Sequence, residues 1–472
     1  MLLNKKVFAI SLLTSLISTN ISASGFAVAE HSASGLGSAF AGASAIAEDA
    51  STTYFNPAGL SKLKGEQVVV AGHIVVVSSP FTNNGSTLST AVPFGTGGAL
   101  SGSNDDGSTT PFIPNFYYSK ELNERWTLGF GINAPFGNAS EYSDTWVGRY
   151  HATTSDITTI NFNPSASYKV NKGLSVGFGV NVQYIEATLA NQLDSSLICK
   201  GAVTKAQIAG GATQANAVIA ANATCSSAPI GLGTIGDVTT DSSVSLNGDD
   251  WSLGWNIGLL YDISDATRIG LAYRSNVKHS LSGTADFTRG GNLGLILTTS
   301  TAFTSTGISS GIDLPESLSL SLYHEVDSKW SILADATWTK WSNFDTLDVD
   351  FSDPLQTDSS TPENWGNSMR YSFGVNYKPD SKWIYRAGLA LDETPIPTAE
   401  DVTARIPDND RIWLSLGLGH KLSDTLGFDV GYAHLVFDDI TINNTIPVVG
   451  HTLTGSYKVD VDIFSAQMNW NF

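Results

Sequence analysis

Along most of this chain large apolar side chains recur at every second position, and the residues between them are mostly Gly, Ser or Asn. In WSLGWNIGLLYDI one row is Trp251, Leu253, Trp255, Ile257, Leu259, Tyr261 and Ile263, and the other holds Ser252, Gly254, Asn256, Gly258 and Asp262. LSVGFGVNVQY repeats the pattern, with Leu174, Val176, Phe178, Val180, Val182 and Tyr184 against Ser175, Gly177, Gly179, Asn181 and Gln183. A period of two marks a strand, whose successive side chains point to opposite faces. In a soluble sandwich the bulky row would meet a core and the other would meet water, carrying Lys and Glu. Here charged residues are only 15% of the chain, while aromatics reach 10%. These rows fit a sheet closed into a membrane barrel, bulky side toward lipid and small polar side toward a lumen. Closure leaves no unpaired backbone edge in hydrocarbon.

The connections point the same way. Tight ones fall around Asn123, Asn171 to Gly173, Ser264 to Asp265, Asp327 to Ser328, Asp380 to Ser381 and Ser423 to Asp424. They alternate with long ones near 80–111, 135–155, 188–248, 285–312, 348–368, 395–408 and 443–451. Short turns on one side and long loops on the other predict an antiparallel barrel of about fourteen strands, an even number as bacterial barrels have. No stretch offers the roughly 18 unbroken apolar residues of a membrane helix. Tyr117, Trp126, Tyr168, Trp330, Trp338, Trp341, Trp383 and Trp413 are read as aromatic girdles. The chain ends on FSAQMNWNF, where Phe464, Ala466, Met468, Trp470 and Phe472 share one face, as in a closing strand. Upstream, Tyr457, Val459, Val461 and Ile463 take the opposite parity, which predicts either a β-bulge near Ile463 or a different strand start.

Lys5 and Lys6 precede the apolar run VFAISLLTSLIST, and ISA supplies a small residue at a cut, so residues 1–23 read as a secretory signal peptide with Ser24 first in the mature chain. With a barrel, the destination is the bacterial outer membrane. A formal charge of -19 argues against nucleic acid as a partner. Cys199 and Cys225 are the only cysteines, and an exported pair can oxidise. A bridge would stabilise by roughly 3–4 kcal/mol in the chain-entropy model; two free thiols are the alternative.

From Ser24 to about Glu66 the alternation fails, and a Gly-, Ala- and Ser-rich stretch with scattered aromatics reads as a compact plug inside the lumen, followed by the barrel over 67–472. Within it SGLGSAFAGASAIAEDASTTYFNPAGL resembles the hatch of the FadL family, outer-membrane transporters of long-chain fatty acids and aromatic hydrocarbons. EYSDTWVGRY with its following NFNPS, RIGLAYRSNVK, ATWTKWSNF and DETPIPTAEDVTARIPDNDRIWLSLGLG extend the resemblance over nearly all of the mature chain. It implies a fourteen-stranded all-β barrel whose hydrophobic ligand is caught by outer loops, held in the lumen, and released sideways through a kink in the third strand when the hatch shifts. It implies that Phe26 touches ligand, and that Asn56, Pro57 and Ala58 lie beside the kink and take part in gating. It also implies that the terminal aromatic is read by the barrel assembly machinery. Gly129, Gly131 and Pro135 in the third strand are the expected kink formers. Outer-membrane lipid and lipopolysaccharide are the expected surroundings, and the chain is expected to act as a monomer.

Parity places Arg274, Lys278, Arg370, Arg386 and Arg411 in the lumen row. Arg274, Lys278 and Arg411 are the candidates for a ligand carboxylate, against lumen ion pairs with Glu, Asp or the hatch. A porin for small hydrophilic solutes is the other reading, since the lumen rows are polar; the hatch weighs against it. GISSG at Gly307 to Gly311 matches G-x-S-x-G without its strand-turn-helix context. The eight histidines suggest no triad or metal site, so no enzyme, metal or cofactor is expected.

Overall fold

The computed structural model describes residues 25–472 except positions 91, 92, 96, 299 and 448. The leader read at 1–23 lies outside the described residues. Fourteen antiparallel strands close into a barrel. They are β1 (Glu66–Ser78), β2 (Phe112–Glu121), β3 (Trp126–Asn133 resuming as Gly137–Glu141), β4 (Thr154–Lys169), β5 (Leu174–Leu193), β6 (Ser242–Ser264) and β7 (Thr267–Arg274 with Val277–Thr288). β8 (Thr306–Leu314 with Ser317–Glu325), β9 (Trp330–Thr339), β10 (Ser368–Tyr377), β11 (Trp383–Asp392), β12 (Arg411–Lys421), β13 (Leu426–Phe437) and β14 (Asp460–Asn471) complete it. Closure is β14 against β1, from Gln67 opposite Asn471 to Ser78 opposite Asp460.

The alternation explains which face meets lipid. On β6 Leu253 and Trp251 are 69% and 56% exposed, whereas Asn256 between the rows is 2% exposed. From Trp251 to Ile263 the apolar row spans roughly 28 Å of membrane depth at about 3.3 Å per residue and 45° of tilt. β5 and β6, at 20 and 23 residues, run well beyond that band, so the long connection begins later than the sequence suggests. Five of the six tight turns share one chemistry. The side chains of Asn123, Asn171, Asp327, Asp380 and Ser423 each accept two backbone N–H groups from the next residues, closing the turn before the chain reverses.

Three of the girdle assignments do not hold. Tyr117, Trp341 and Trp413 are each at most 2% exposed and face inward, while Trp126 and Trp330 stand outside at 45% and 44%. The parity break before the last strand has another cause than a bulge: β14 pairs without interruption on both sides. Val461 and Ile463 point into the lumen, 6% and 1% exposed, and Tyr457 belongs to a separate loop sheet.

Residues 25–65 fill the lumen with three single-turn helices, Ala33–Leu36, Ala43–Ile46 and Thr52–Phe55, and the 3-10 turn Pro57–Lys62. The wall's glycines are their seats. A Cβ on Gly258 would lie 1.8 Å from Asn56 Oδ1, one on Gly177 would lie 2.2 Å from Ala58 N, and one on Gly388 would lie 2.1 Å from the Ser38 carbonyl carbon. Charges clamp the fit: Arg386 bridges Glu48 and Asp429 at 2.7 Å each, and Gln467 accepts from Ala33 N–H at 2.9 Å while donating to Asp49 at 2.8 Å.

Outside, the loop between β5 and β6 forms a helical hairpin, Ser195–Ala209 and Gln214–Ser226, joined by the disulfide Cys199–Cys225. Replacing both cysteines by serine should loosen this hairpin by roughly 3–4 kcal/mol and leave the barrel intact. Protease cleavage confined to residues 195–226 on whole cells would check it.

Candidate transport site

The ladder of β3 stops at Asn133 and restarts at Gly137, around Pro135, which has no N–H to give. Its first half pairs with both neighbours, Ile132 lying opposite Phe116 and Phe162, whereas its second half pairs only with β4, Gly137 opposite Thr158. Residues 112–115 of β2 therefore have a strand partner only in β1, and the wall has a gap there. Gly129 and Gly131 are not the kink formers: both sit in regular ladder, and Gly129 makes room for Leu60 and Thr53.

The break is covered from inside by the start of the chain. Val28 N–H donates to the Pro135 carbonyl at 3.0 Å, and Gly137 N–H donates to the Phe26 carbonyl at 3.0 Å, with Ala27 opposite Phe136. These bonds satisfy backbone groups that would otherwise be stranded at membrane depth. The Phe26 ring is 4% exposed and packs against Trp341, Phe344, Trp365 and Phe136 at centroid distances of 4.8, 5.5, 5.8 and 6.1 Å. Gly25 N–H donates to Asp408 at 2.9 Å, and Asp408 also receives the Thr394 hydroxyl and lies 3.7 Å from Arg411. Burial pushes Asp408 up to about 6, against the pull of Arg411.

Beside this ribbon lies a cavity of about 620 Å³, walled inside by Phe26, Val75, Leu435, Val461, Ile463 and Trp413. The size is that of a small-molecule site. The same cavity reaches Phe112 and Ile160, which stand on the outer surface at 64% and 40% exposure. Its lining thus takes in side chains from both faces of the wall beside the covered gap. Its polar end is made by Arg411, 3.0 Å from Asp392, and by Arg405, which donates to the Thr154 carbonyl at 3.0 Å and to Ser155 Oγ at 3.2 Å. Burial lowers Arg405 to about 10, with Glu363 opposing.

The other expected site residues are scattered. Arg274 lines a second, smaller chamber of about 160 Å³ together with Pro57, Pro135 and Phe136. Lys278 is not in the lumen: its side chain is 71% exposed and paired with Asp313 on the outer face. The reason is one extra residue in β7. Arg274 lies opposite Asn256 but Ser282 lies opposite Asp249, so the parity flips between the two halves of the strand. Arg370 and Arg386 do reach the lumen, held by Asp392 and by Glu48 with Asp429. Asn56 caps the 3-10 turn through Ala58 N–H at 3.0 Å and donates to Ser44 and Leu259 carbonyls at 2.6 and 3.1 Å, while Ser167 binds the Ala58 carbonyl at 3.1 Å. The motif is thus anchored on β4, β5 and β6, and the kink backbone is bonded instead by Phe26 and Val28 from inside and by the Thr159 hydroxyl of β4.

Reading the sequence missed Trp341, Trp365, Arg405 and the inward Val461 and Ile463; the parity break was the available signal for the last two. It also missed a histidine grouping: His434 Nδ1 lies 3.1 Å from Asp462 and 4.0 Å from Asp460 on the outer wall. Gly307 to Gly311 lies within a strand, Ser309 opposite Ser282, not at a strand-to-helix elbow.

The family model of outer membrane protein transport proteins (OMPP1/FadL/TodX) matches residues 14–472. The chain belongs to this family. It is 31% identical over 440 residues to the long-chain fatty acid transport protein of Escherichia coli K12, covering 92% of this chain and 93% of that one. It is 32% identical to outer membrane protein P1 of Haemophilus influenzae Rd, covering 92% and 90%. In fold, a Pseudomonas aeruginosa FadL homologue superposes with a TM-score of 0.79 at 23% identity over 95% of this chain and 100% of that one. The Pseudomonas putida toluene transporter TodX gives 0.64 at 16% identity over 96% and 100%. This FadL-family barrel is a multi-pass outer-membrane transport protein.

Burial raises Glu363, beside this family member's Trp365, to about 8, more than the attraction of Arg405 lowers it. A carboxyl raised in the fold stabilises fully below its ordinary value near 4.5, and the contribution is lost as pH rises through about 8. Opening of the loop between β9 and β10 should therefore increase up to about tenfold per pH unit over that window. Glu363→Gln should remove the dependence in hydrogen exchange.

Proposed function

We propose that this chain carries hydrophobic small molecules, long-chain fatty acids or related hydrocarbons, from outside the cell into the outer membrane. The ligand is caught by the outer loops, settles in the 620 Å³ cavity against Phe26 and Ile463, and leaves sideways between β2 and β4. Residues 24–66 act as the hatch. Displacing Phe26 breaks the two backbone bonds to the β3 kink and uncovers the gap, while Asn56, Pro57 and Ala58 hold the hatch floor. The observation that carries this reading is a single cavity touching both inward Val461 and lipid-facing Phe112. Each methylene kept out of water is worth about 0.8 kcal/mol, so an alkyl chain favours this dry path over an aqueous bore. Arg411, with Arg405, is the carboxylate partner if the ligand is an acid.

A porin would need an open water-filled lumen, and residues 25–65 occupy this one. Catalysis is not part of the reading. Phe472, 76% exposed at the end of β14, serves as the assembly signal, the outer leaflet's lipopolysaccharide surrounds the wall, and the barrel works as a monomer.

Uptake of labelled oleate and toluene by cells carrying the chain, with and without substitutions at Asn56 and Pro57, tests this. Uptake above control for at least one compound, and its change in the altered chains, is expected. No uptake of either compound would overturn the reading.

A further inference from the structure

We propose that the smaller chamber takes the hydroxyl group of an alcohol, held between Asp392 and Arg370, while the apolar body of that ligand lies in the large cavity. The inference rests on the reading of the large cavity as the ligand's path. Asp392 lines the chamber and is 1% exposed. Its Oδ2 accepts from Arg411 Nε and from the Trp413 indole, each at 3.0 Å, but its Oδ1 is buried and has no hydrogen-bond partner among the described residues. Arg370 lines the chamber beside it. Its terminal nitrogens donate to Ser372 Oγ at 2.8 Å and to the Ala39 carbonyl at 3.0 Å, whereas its Nε, 3.8 Å from Asp392 Oδ2, is buried with no hydrogen-bond partner among the described residues. The chamber's other carboxylate, Asp335, is satisfied by Ser321 and Thr337.

One acceptor and one donor thus stand unmet on neighbouring side chains, and a single hydroxyl answers both: its proton goes to Asp392 Oδ1 and its oxygen accepts from Arg370 Nε. Other head groups fit worse. A carboxylate sets a second negative charge against Oδ1, an ammonium meets the two guanidiniums already on Asp392, and a hydrocarbon or an ether offers Oδ1 no proton. Asn256 Nδ2 and the His31 ring nitrogens also face the chamber unpartnered. They decide less, because leaving a buried group unmet costs more when it is charged, and burial keeps His31 neutral. A chamber of about 160 Å³ is too small for a whole ligand. It shares Val28, Phe136 and Arg411 with the large cavity, so a head group seated here leaves its tail there.

Binding to the full chain in lipid nanodiscs, corrected for uptake by empty discs, tests this with octanol and its isomer heptyl methyl ether, which has the same atoms but no O–H. Octanol is expected to bind the unaltered protein at least tenfold more tightly. In Asp392→Asn the Arg411 and Trp413 donors hold the amide oxygen and turn the amide N–H groups to the chamber. The preference for the alcohol should then fall at least tenfold, the ether gaining on it. Equal affinities in the unaltered protein, as a resident water serving both groups would give, or an alcohol preference undiminished in Asp392→Asn, would overturn the inference and leave the transport reading standing. If neither compound binds, the transport reading fails and this inference with it.

Discussion

Val461→Asp is expected to reduce uptake of oleate or toluene at least tenfold while the barrel still assembles and keeps its heat-modifiable migration. Val461 is inward on β14 and lines the large cavity beside Ile463, so its carboxylate would stand among apolar walls with no cation in its row. An isolated ionised carboxylate in such surroundings costs several kcal/mol, and each lost kcal/mol of ligand binding is about a fivefold loss in affinity. Phe464→Asp, three residues on and on the opposite face, is the informative contrast. That side chain faces lipid at 50% exposure, so it should impair assembly and not ligand binding. Equal uptake by Val461→Asp and the unaltered chain would remove the cavity from the transport path.

Gly258→Val is expected to unseat the hatch. Its Cβ would lie 1.8 Å from Asn56 Oδ1 and 3.2 Å from Pro57 Cδ, deep inside contact distance. The ladder of β6 is untouched, because Gly258 pairs through its backbone with Gly177 and Ala272. Each wall strand is bonded on both sides over most of its length, whereas residues 56–58 meet the wall through side-chain bonds and packing, so they are the part expected to give way. Overpacking of this kind costs about 1–3 kcal/mol where neighbours can shift, and here the neighbour that can shift is the hatch. Planar-bilayer conductance should rise from near zero to that of an open bore, and cells should admit hydrophilic solutes at least tenfold faster. Unchanged conductance would mean that Asn56 to Ala58 do not seal the lumen.

Much of the fold was legible because lipid imposes a simple rule. The row from Trp251 to Ile263 can occupy only one face of a strand, and Gly177 and Gly258 can occupy only the other, since the Ala58 backbone nitrogen lies 2.2 Å and the Asn56 side-chain oxygen 1.8 Å from where their Cβ atoms would be. Turn residues such as Asn171 and Asp380 were legible for a local reason, as each bonds its own following amides. The site was harder to read because it breaks those rules. Val461 and Ile463 looked like a register fault because an apolar residue in a lumen row has no place in a uniform barrel; it has one where the row meets a hydrophobic cavity. Lys278 was misplaced by a single extra residue in β7, which period-two counting cannot see. Trp341 and Trp365 come from the loop between β9 and β10, and only the folded chain brings them to Phe26.

The central claim is the sideways path, and photo-crosslinking tests it most directly. Cells expressing the chain are given a fatty acid with a diazirine on its alkyl tail, illuminated during uptake, and the labelled residues are mapped by mass spectrometry. The account predicts labels on Phe26, Val461 and Ile463, then on Phe112 and Ile160 at the lipid side of the gap. Labels running instead from the cavity down to Leu60 and the turn at Asn171 would mean that the ligand passes straight through to the periplasm, and would contradict it.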